Sequence, residues 1–232
     1  MFINGFDILW DEVDDYVADI QSIRSIEQLT FSKPVTFFCG ENGSGKSTLL
    51  EALAIKNGLN PEGGTRNYNF STYDSYSDLH NHMRLWRSRK PDWMYFLRAE
   101  SFYNVATKEM EYSGVFSERY HDQSHGQSFF SVLMKQTNKN GLYLLDEPEA
   151  ALSCQNQLAL LYLIQSCVKQ NCQFIIATHS PILLGFPGAQ ILSFDEGKVE
   201  EVDYKLTSSY QTMKLFLNRY DYFVKDIKEN EI

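Results

Sequence analysis

Residues 40–48, Gly-Glu-Asn-Gly-Ser-Gly-Lys-Ser-Thr, have types and spacing suited to chemistry on a polyphosphate. Glycines let backbone N–H groups crowd around an anion, because they adopt positive φ at no steric cost. Lys46 would pair with the β- and γ-phosphates, and the Ser47 hydroxyl can ligate Mg²⁺. The complete pattern G-x-x-x-x-G-K-[ST], a P-loop, predicts nucleotide contacts from Asn42, Gly43, Ser44, Gly45, Lys46, Ser47 and Thr48.

A second group is a pair of carboxylates, Asp146 and Glu147, at the end of the apolar run 142–145. Beside a P-loop, such a strand would present its acids to the γ-phosphate and Mg²⁺. We expect this strand to lie next to the P-loop strand. Asp146 would hold the metal, and Glu147 would act as general base for the attacking water. Two acids that merely enter a turn at Pro148 are the alternative.

Two further polar segments belong with these groups. The apolar run 173–177 leads to His179, which could contact the γ-phosphate from the same edge of the sheet. A purely structural histidine is the alternative. Ser124, Gly126 and Gln127 precede a helix predicted over 128–136, where backbone N–H groups could bind an anion. His121 and His125 leave a zinc pair open as another interpretation of that loop.

The elements that must position these residues alternate along the chain. Strands are predicted at 35–39, 93–97, 142–145 and 173–177, and a hairpin at 191–202. Helices are predicted from the P-loop to Gly58 and over 155–169, the second with Leu158, Leu161, Tyr162 and Val168 inward. A loop-rich segment follows Asn57. The alternation predicts an α/β fold with a mainly parallel sheet flanked by helices.

Size, charge and cysteine content limit the classes of function. The 232 residues suffice for one core, and we expect a single domain over 1–232 with an insertion at about 58–125. A net charge of −9 argues against a globally cationic nucleic-acid binder. No apolar run could cross a bilayer, and the acidic N-terminal region lacks the basic start of a signal peptide. These features predict a cytoplasmic protein, with four cysteines as buried or bystander thiols.

The order P-loop, Ser-x-Gly-Gln, strand–Asp-Glu-Pro and strand–His resembles that of the ATP-binding-cassette (ABC) ATPases. It is most similar to small stand-alone bacterial ATPases of the AAA family that are ABC-, RecF- or OLD-like. The similar stretches cover most of the chain: 40–54, 96–102, 124–129, 144–153 and 173–181. The resemblance implies a P-loop NTPase fold with an N-terminal antiparallel β portion, Mg²⁺ and ATP as cofactors, and ATP hydrolysis.

The resemblance also implies an ATP-dependent homodimer, in which the segment 124–127 of one subunit caps the nucleotide of the other. Residues 150–153 would lie at that interface. Two departures stand out: Gln123 and His125 replace the usual Leu and first Gly of the signature. The usual Q-loop glutamine is not evident after residue 97, and Glu100 is the candidate for its role at the metal.

The short spacing between Glu100 and Ser124 implies a reduced helical insertion, which makes a transporter subunit the weaker interpretation. DNA repair and phage defence are candidate processes for an ATPase that dimerises to drive or switch a partner. An ATP-gated switch for nucleic acid or a partner protein, with little turnover, is a further alternative. A companion protein also stays open. Basic residues around Trp86 suggest a solvated face or a nucleic-acid contact. The apolar stripe at 213–227 is expected to pack on the core or bind a partner. Tyr16, with Arg24 near it, could stack on adenine.

Overall fold

The computed structural model describes residues 1–10, 13, 15–65, 76–99, 134, 137 and 140–229. The strands in these residues are β1 Ile3–Ile8, β2 Gln28–Thr30, β3 Val35–Cys39, β4 Met83–Arg87, β5 Trp93–Arg98, β6 Gly141–Asp146, β7 Gln173–Ala177, β8 Gln190–Ser193 and β9 Glu200–Glu201. The helices are α1 Gln21–Arg24, α2 Lys46–Lys56, α3 Leu79–His82, α4 Cys154–Val168, α5 Pro181–Leu184, α6 Ser208–Asn218 and α7 Tyr220–Glu229. Short 3₁₀ turns follow at Tyr16–Asp19, Pro148–Ala151, Asp195–Gly197 and Tyr204–Leu206.

The main sheet contains six strands among the described residues, in the order β5-β6-β7-β3-β8-β9. All neighbouring pairs are parallel except β8 with β9, which form the predicted hairpin. Both faces of the sheet are buried. Phe38 and Leu144 lie in one apolar cluster, whereas Phe37 and Tyr143 lie in the other, as the alternation of side chains along a strand requires. The predicted α/β class with a mainly parallel sheet is confirmed.

One prediction about this sheet is wrong. The strand that carries Asp146, β6, does not lie next to the P-loop strand β3, because β7 is inserted between them. The register aligns Ala177 of β7 with Phe38 on one side and with Asp146 on the other. The carboxyl ends of the three strands therefore stand level, and the inserted strand places its own loop at the centre of this edge.

A second, antiparallel sheet is built from β2, β1 and β4 in that order. This N-terminal sheet confirms the predicted antiparallel portion. Strand β4 was missed, since residues 83–87 fall in the segment predicted to be loop-rich. The side chain of Gln173 joins the two sheets: its Oε1 accepts from the backbone N–H groups of Phe2 at 2.7 Å and Ile3 at 3.0 Å. Its Nε2 donates to the Ile3 carbonyl at 2.8 Å.

The basic residues around Trp86, which are Arg84, Arg87, Arg89 and Lys90, are all exposed, and three of them also contact neighbouring groups. Arg84 donates to the carboxylate of Asp7. Arg87 donates to Asn57 Oδ1, and the Arg89 guanidinium lies 4.6 Å from the centre of the Phe2 ring. Three of the four cations therefore have a contact within the chain, and their side chains stay exposed to solvent.

Helix α4 buries only part of the predicted face, because Leu161 and Val168 are half-buried against the core and the other two predicted residues are exposed. The residues that point inward are Gln157, Leu160, Ile164 and Cys167. Leu158 and Tyr162, both predicted inward, are 50 % and 74 % exposed. The helix is apolar on several sides, so periodicity could not choose between faces. Leu158 instead lines an open groove of about 530 Å³, whose opposite wall includes Met213 and Leu217 of α6.

The C-terminal helices α6 and α7 also depart from the expectation that their apolar stripe packs on the core. Neither α6 nor the part of α7 whose side chains are described buries a residue of that stripe. The exposed members are Met213, Phe216, Leu217, Tyr220 and Ile227. No helix in the described part of the chain has the length and apolar character that crossing a bilayer needs.

Several predictions concern residues outside the described ranges. These are the segment 124–127 with Ser124, Gly126 and Gln127, the pair His121 and His125, the helix at 128–136 and Glu100. The reduced helical insertion falls largely there as well. Within the described ranges, the predicted insertion at 58–125 contains β4 and β5, which belong to the two sheets.

Candidate functional site

The P-loop connects β3 to α2 in a conformation that only glycine adopts readily. Gly43 and Gly45 have φ values of 78° and 92°. Gly45 also lies under α1: a Cβ there would be 2.7 Å from Ile23 Cδ1 and 3.0 Å from Ile20 Cγ2. A larger residue would therefore push α1 off the loop. The loop leads directly into the N-terminus of α2, where unpaired backbone N–H groups favour an anion.

Lys46 is buried beneath this loop, with its ammonium group turned back to the backbone. Its Nζ donates to the carbonyls of Gly40 at 2.9 Å and Glu41 at 2.7 Å. Burial lowers the pKa of Lys46, and the nearby carboxylates of Glu147 and Asp195 oppose that shift. Asp195 also accepts from the Glu41 N–H at 3.0 Å, so the loop after β8 supports the P-loop.

Ser47 and Asp146 come together, although 99 residues separate them in sequence. The Ser47 hydroxyl donates to Asp146 Oδ1 at 2.8 Å. A hydroxyl and a carboxylate side by side are hard oxygen donors, the kind that Mg²⁺ takes together with phosphate oxygens and water. The donor chemistry therefore fits Mg²⁺, with Ser47 and Asp146 as the residues that would hold it.

Glu147 follows in an unusual backbone conformation. Its φ and ψ are 48° and 51°, in the left-handed region that residues with a Cβ avoid. Its N–H donates to the Ala177 carbonyl at 2.9 Å, which fixes the chain there. The carboxylate stays partly exposed, and its Oε1 lies 3.5 Å from His179 Nε2. Strain of this kind concentrates at functional sites.

The structure thus brings together most of the predicted site residues that it describes. Lys46, Ser47, Asp146, Glu147 and His179 all lie at the carboxyl edge of β3, β7 and β6. The remaining P-loop contacts lie in the same loop or at the start of α2: Asn42, Gly43, Ser44, Gly45 and Thr48.

Sequence reasoning missed two residues at this edge. Arg98, at the end of β5, is paired in register with Asp146 and forms an ion pair with Glu51 of α2 at 2.5 Å. Its Nε lies 3.7 Å from Asp146 Oδ2. Glu149 accepts at Oε1 from the backbone N–H groups of His179 at 2.6 Å and Ser180 at 3.2 Å. For Arg98 the available signal was a charge at the carboxyl end of an apolar strand.

Tyr16 and Arg24 were the residues expected near adenine, and only Tyr16 lies beside the P-loop helix. Tyr16 is exposed and lies beside Thr48 of α2; burial of its hydroxyl and the Glu51 carboxylate raise its pKa. Arg24 instead lies over the Trp10 ring, 4.6 Å from its centre. An open aromatic ring next to the P-loop helix remains the candidate for stacking on a base.

Of the four cysteines, Cys39 ends β3 directly before the P-loop, and the other three lie in α4 or just after it. Cys39, Cys167 and Cys172 are buried free thiols, whereas Cys154 is exposed. Burial raises the pKa of Cys39 and of Cys167 to about 11, so both stay protonated at neutral pH. A protonated thiol is a poor metal ligand and a poor nucleophile.

The fold and the arrangement of these residues resemble those of ABC-like P-loop ATPases. Comparisons with known proteins fit this class. Residues 18–81 match a family described as an AAA domain, and residues 125–184 match one described as an AAA ATPase domain. An uncharacterized ABC transporter ATP-binding protein of Haemophilus influenzae is 28 % identical over an alignment of 183 residues, with a coverage of 68 % for each of the two chains.

Solved structures with similar folds include CbiO1 from Clostridium perfringens, described as part of an ABC transporter complex. It is 18 % identical with a TM-score of 0.46, over 97 % of this chain and 100 % of that chain. The SMC head domain from Thermotoga maritima is 14 % identical with a TM-score of 0.45, over 87 % of this chain and 98 % of that chain.

Proposed function

We propose that this protein binds ATP with Mg²⁺ and hydrolyses it to ADP and phosphate. The observation that carries the proposal is the 2.8 Å hydrogen bond from Ser47 to Asp146. It joins the hydroxyl of the phosphate-binding loop to the carboxylate expected at the metal, at the edge where Glu147 and His179 also lie. The matches to ATPase families support ATP as the nucleotide.

Each side chain then has a role. Lys46 exchanges its loop carbonyls for β- and γ-phosphate oxygens and neutralises their charge. Ser47 and Asp146 hold the metal, which when bound offsets negative charge on the phosphates. Glu147 accepts a proton from a water molecule while the oxygen of that water attacks the γ-phosphorus. The bond between the γ-phosphorus and the leaving ADP oxygen then breaks. His179 donates a hydrogen bond that orients the γ-phosphate beside Glu147.

We further propose a cytoplasmic ATPase of one domain that dimerises around two ATP molecules. Ser124, Gly126 and Gln127 of one copy would cap the nucleotide of the other, and Glu100 would approach the metal. Support comes from the resemblance to ABC ATPases and from the exposure of residues 41–43 and 150, which face away from the core. A companion protein or nucleic acid would be the target of the resulting motion.

Steady-state phosphate release tests the proposal, with the wild type, Glu147→Gln and a matched control, Glu196→Gln. Glu196 is an exposed acid on the turn after β8, so the control removes the same charge. We expect the control to keep wild-type turnover and Glu147→Gln to lose it at least about 100-fold, the scale of a general base. Sedimentation of Glu147→Gln with ATP should reveal the dimer.

Two results would favour other functions. If the wild type releases no more phosphate than Glu147→Gln while ATP still dimerises both, nucleotide acts as a switch and the enzyme proposal fails. The similarity to the ABC transporter ATP-binding protein of Haemophilus influenzae favours a second candidate, the ATPase subunit of a transporter. That candidate predicts recovery of the tagged chain in a stable complex with an integral membrane protein.

A further inference from the structure

We propose that Glu149 is a positioning residue, which fixes the backbone at His179 and thereby sets the imidazole against Glu147. The consequence for hydrolysis rests on the proposed function. The structural claim does not, because it concerns only the hydrogen bonds of one carboxylate in the nucleotide-free protein.

Glu149 lies in the 3₁₀ turn Pro148–Ala151, two residues after Glu147. Its Oε1 accepts from the backbone N–H groups of His179 and Ser180, at 2.6 and 3.2 Å, across 30 residues of sequence. An ionised acceptor makes shorter and stronger hydrogen bonds than a neutral one. The turn after β6 is thus fastened to the loop after β7 by one side chain.

This fastening matters because little else orients His179. Within the described ranges, its Nε2 is buried and has no hydrogen-bond partner, and the nearest carboxylate oxygen, Glu147 Oε1, is 3.5 Å away. The ring therefore takes its place from its backbone and its packing. Glu149 lies in the turn that directly follows Glu147. Its carboxylate therefore fixes the position of the His179 backbone relative to the backbone of the proposed general base.

Ser180, at the end of the loop between β7 and α5, is held by a hydrogen bond to Gln157 of α4. The Ser180 hydroxyl donates to Gln157 Oε1 at 2.6 Å, and Gln157 Nε2 donates to the Leu152 carbonyl at 3.0 Å. Ser180 also caps α5 through the N–H groups of Ile182 and Leu183. Loss of Glu149 would therefore release the loop locally at His179, while Gln157 keeps α5 in place.

The direct test is the backbone amide of His179 in protein labelled with ¹⁵N-histidine, without nucleotide. The chain has five histidines, so five signals arise, and His179→Gln identifies the one required. In Glu149→Ala we expect this amide proton to move upfield and to exchange about 10- to 100-fold faster, the scale of a lost hydrogen bond to a charged group. Glu149→Gln keeps an acceptor without charge and should be intermediate.

Glu200→Gln, at a surface acid, is the control of equal charge and should leave the signal unchanged. An unchanged His179 amide in Glu149→Ala would overturn the proposal. If that variant does not fold, an unchanged amide in Glu149→Gln would overturn it.

The effect of Glu149 on ATP hydrolysis is measured separately, through kcat and KM for ATP. Among the described residues, Glu149 makes no hydrogen bond to the P-loop. We therefore expect kcat to fall about tenfold or more in Glu149→Ala, with KM for ATP within about twofold of wild type. Partial recovery of kcat in Glu149→Gln would support the role. If the His179 amide signal shifts in Glu149→Ala but kcat stays at the wild-type value, the catalytic role of Glu149 is refuted. If the wild type itself shows no turnover, the proposed function is refuted, and the amide signal alone decides whether Glu149 positions His179.

Discussion

The left-handed backbone at Glu147 predicts that glycine stabilises this position relative to alanine. Alanine and glycine both remove the carboxylate, so a comparison of Glu147→Gly with Glu147→Ala isolates the effect of the Cβ atom. The side chain is 42 % exposed, so its removal costs little packing. The backbone of Glu147, with φ 48° and ψ 51°, must be kept because its N–H and C=O both form hydrogen bonds.

The magnitude follows from two opposing terms. A residue with a Cβ in the left-handed region costs about 1–2 kcal/mol, which glycine avoids. Glycine in turn gains conformational freedom in the unfolded chain, worth about 0.4–1 kcal/mol relative to alanine. We therefore expect the free energy of unfolding of Glu147→Gly to exceed that of Glu147→Ala by roughly 1 kcal/mol.

Urea unfolding of the nucleotide-free variants measures this difference. The same pair of substitutions at Gln165, an exposed position in the interior of α4, is the control. There alanine should be the more stable by about 1 kcal/mol, so the sign reverses between the two sites. Equal stability of the two Glu147 variants, or a more stable alanine, would refute the idea that this residue is strained.

Three further predictions concern stability. Gln173→Leu leaves three buried backbone groups of Phe2 and Ile3 without their partner, so the free energy of unfolding in urea should fall by about 3 kcal/mol or more, and a fall below 1 kcal/mol would contradict the structure. In the same assay, Leu160→Ala should lower the free energy of unfolding by about 2–5 kcal/mol and Tyr162→Ala by less than about 0.5 kcal/mol. The opposite order would show that α4 buries its predicted face. Because the pKa of Cys167 is about 11 in the folded protein and 9.0 is its ordinary value, the thiol deprotonates first in the unfolded chain and stability should fall as pH rises from 9 to 11. Cys167→Ala should make that fall shallower, and an unchanged slope would contradict the assigned burial.

The sequence predicted which residues meet at the candidate site better than it predicted the order of the strands that carry them. The P-loop, Asp146, Glu147 and His179 were identified because each follows an apolar run and has a residue type with one chemical use there. Strand order was not predictable, since nothing local in β6 records that β7 separates it from β3. Glu149 was missed because its partners are backbone N–H groups, which carry no signature in sequence.

The errors about β4, about the buried face of α4 and about the C-terminal stripe all depend on tertiary contacts. Strand β4 carries Arg84 and Arg87, whose charges hid its alternation, and tertiary contacts to Asp7 and Asn57 make those charges tolerable. Helix α4 and the stripe on α6 and α7 have more apolar side chains than the core buries, so some of them stay exposed. Which of them are buried depends on the surface offered by the sheet, and periodicity alone does not contain that information.

The position of β3 between β7 and β8 has a consequence for how the protein is made. During synthesis, the P-loop strand Val35–Cys39 leaves the ribosome more than 130 residues before either of its neighbours, which begin at Gln173 and Gln190. Until then its edges are open and its five apolar or β-branched residues are uncovered, the state most prone to aggregation. The nucleotide site, assembled from three strand ends, can form only when this late pairing is complete. Nucleotide binding by nascent chains of increasing length would therefore begin abruptly, after the loop that follows β7 and carries His179 has emerged, and would report when β3 pairs with β7.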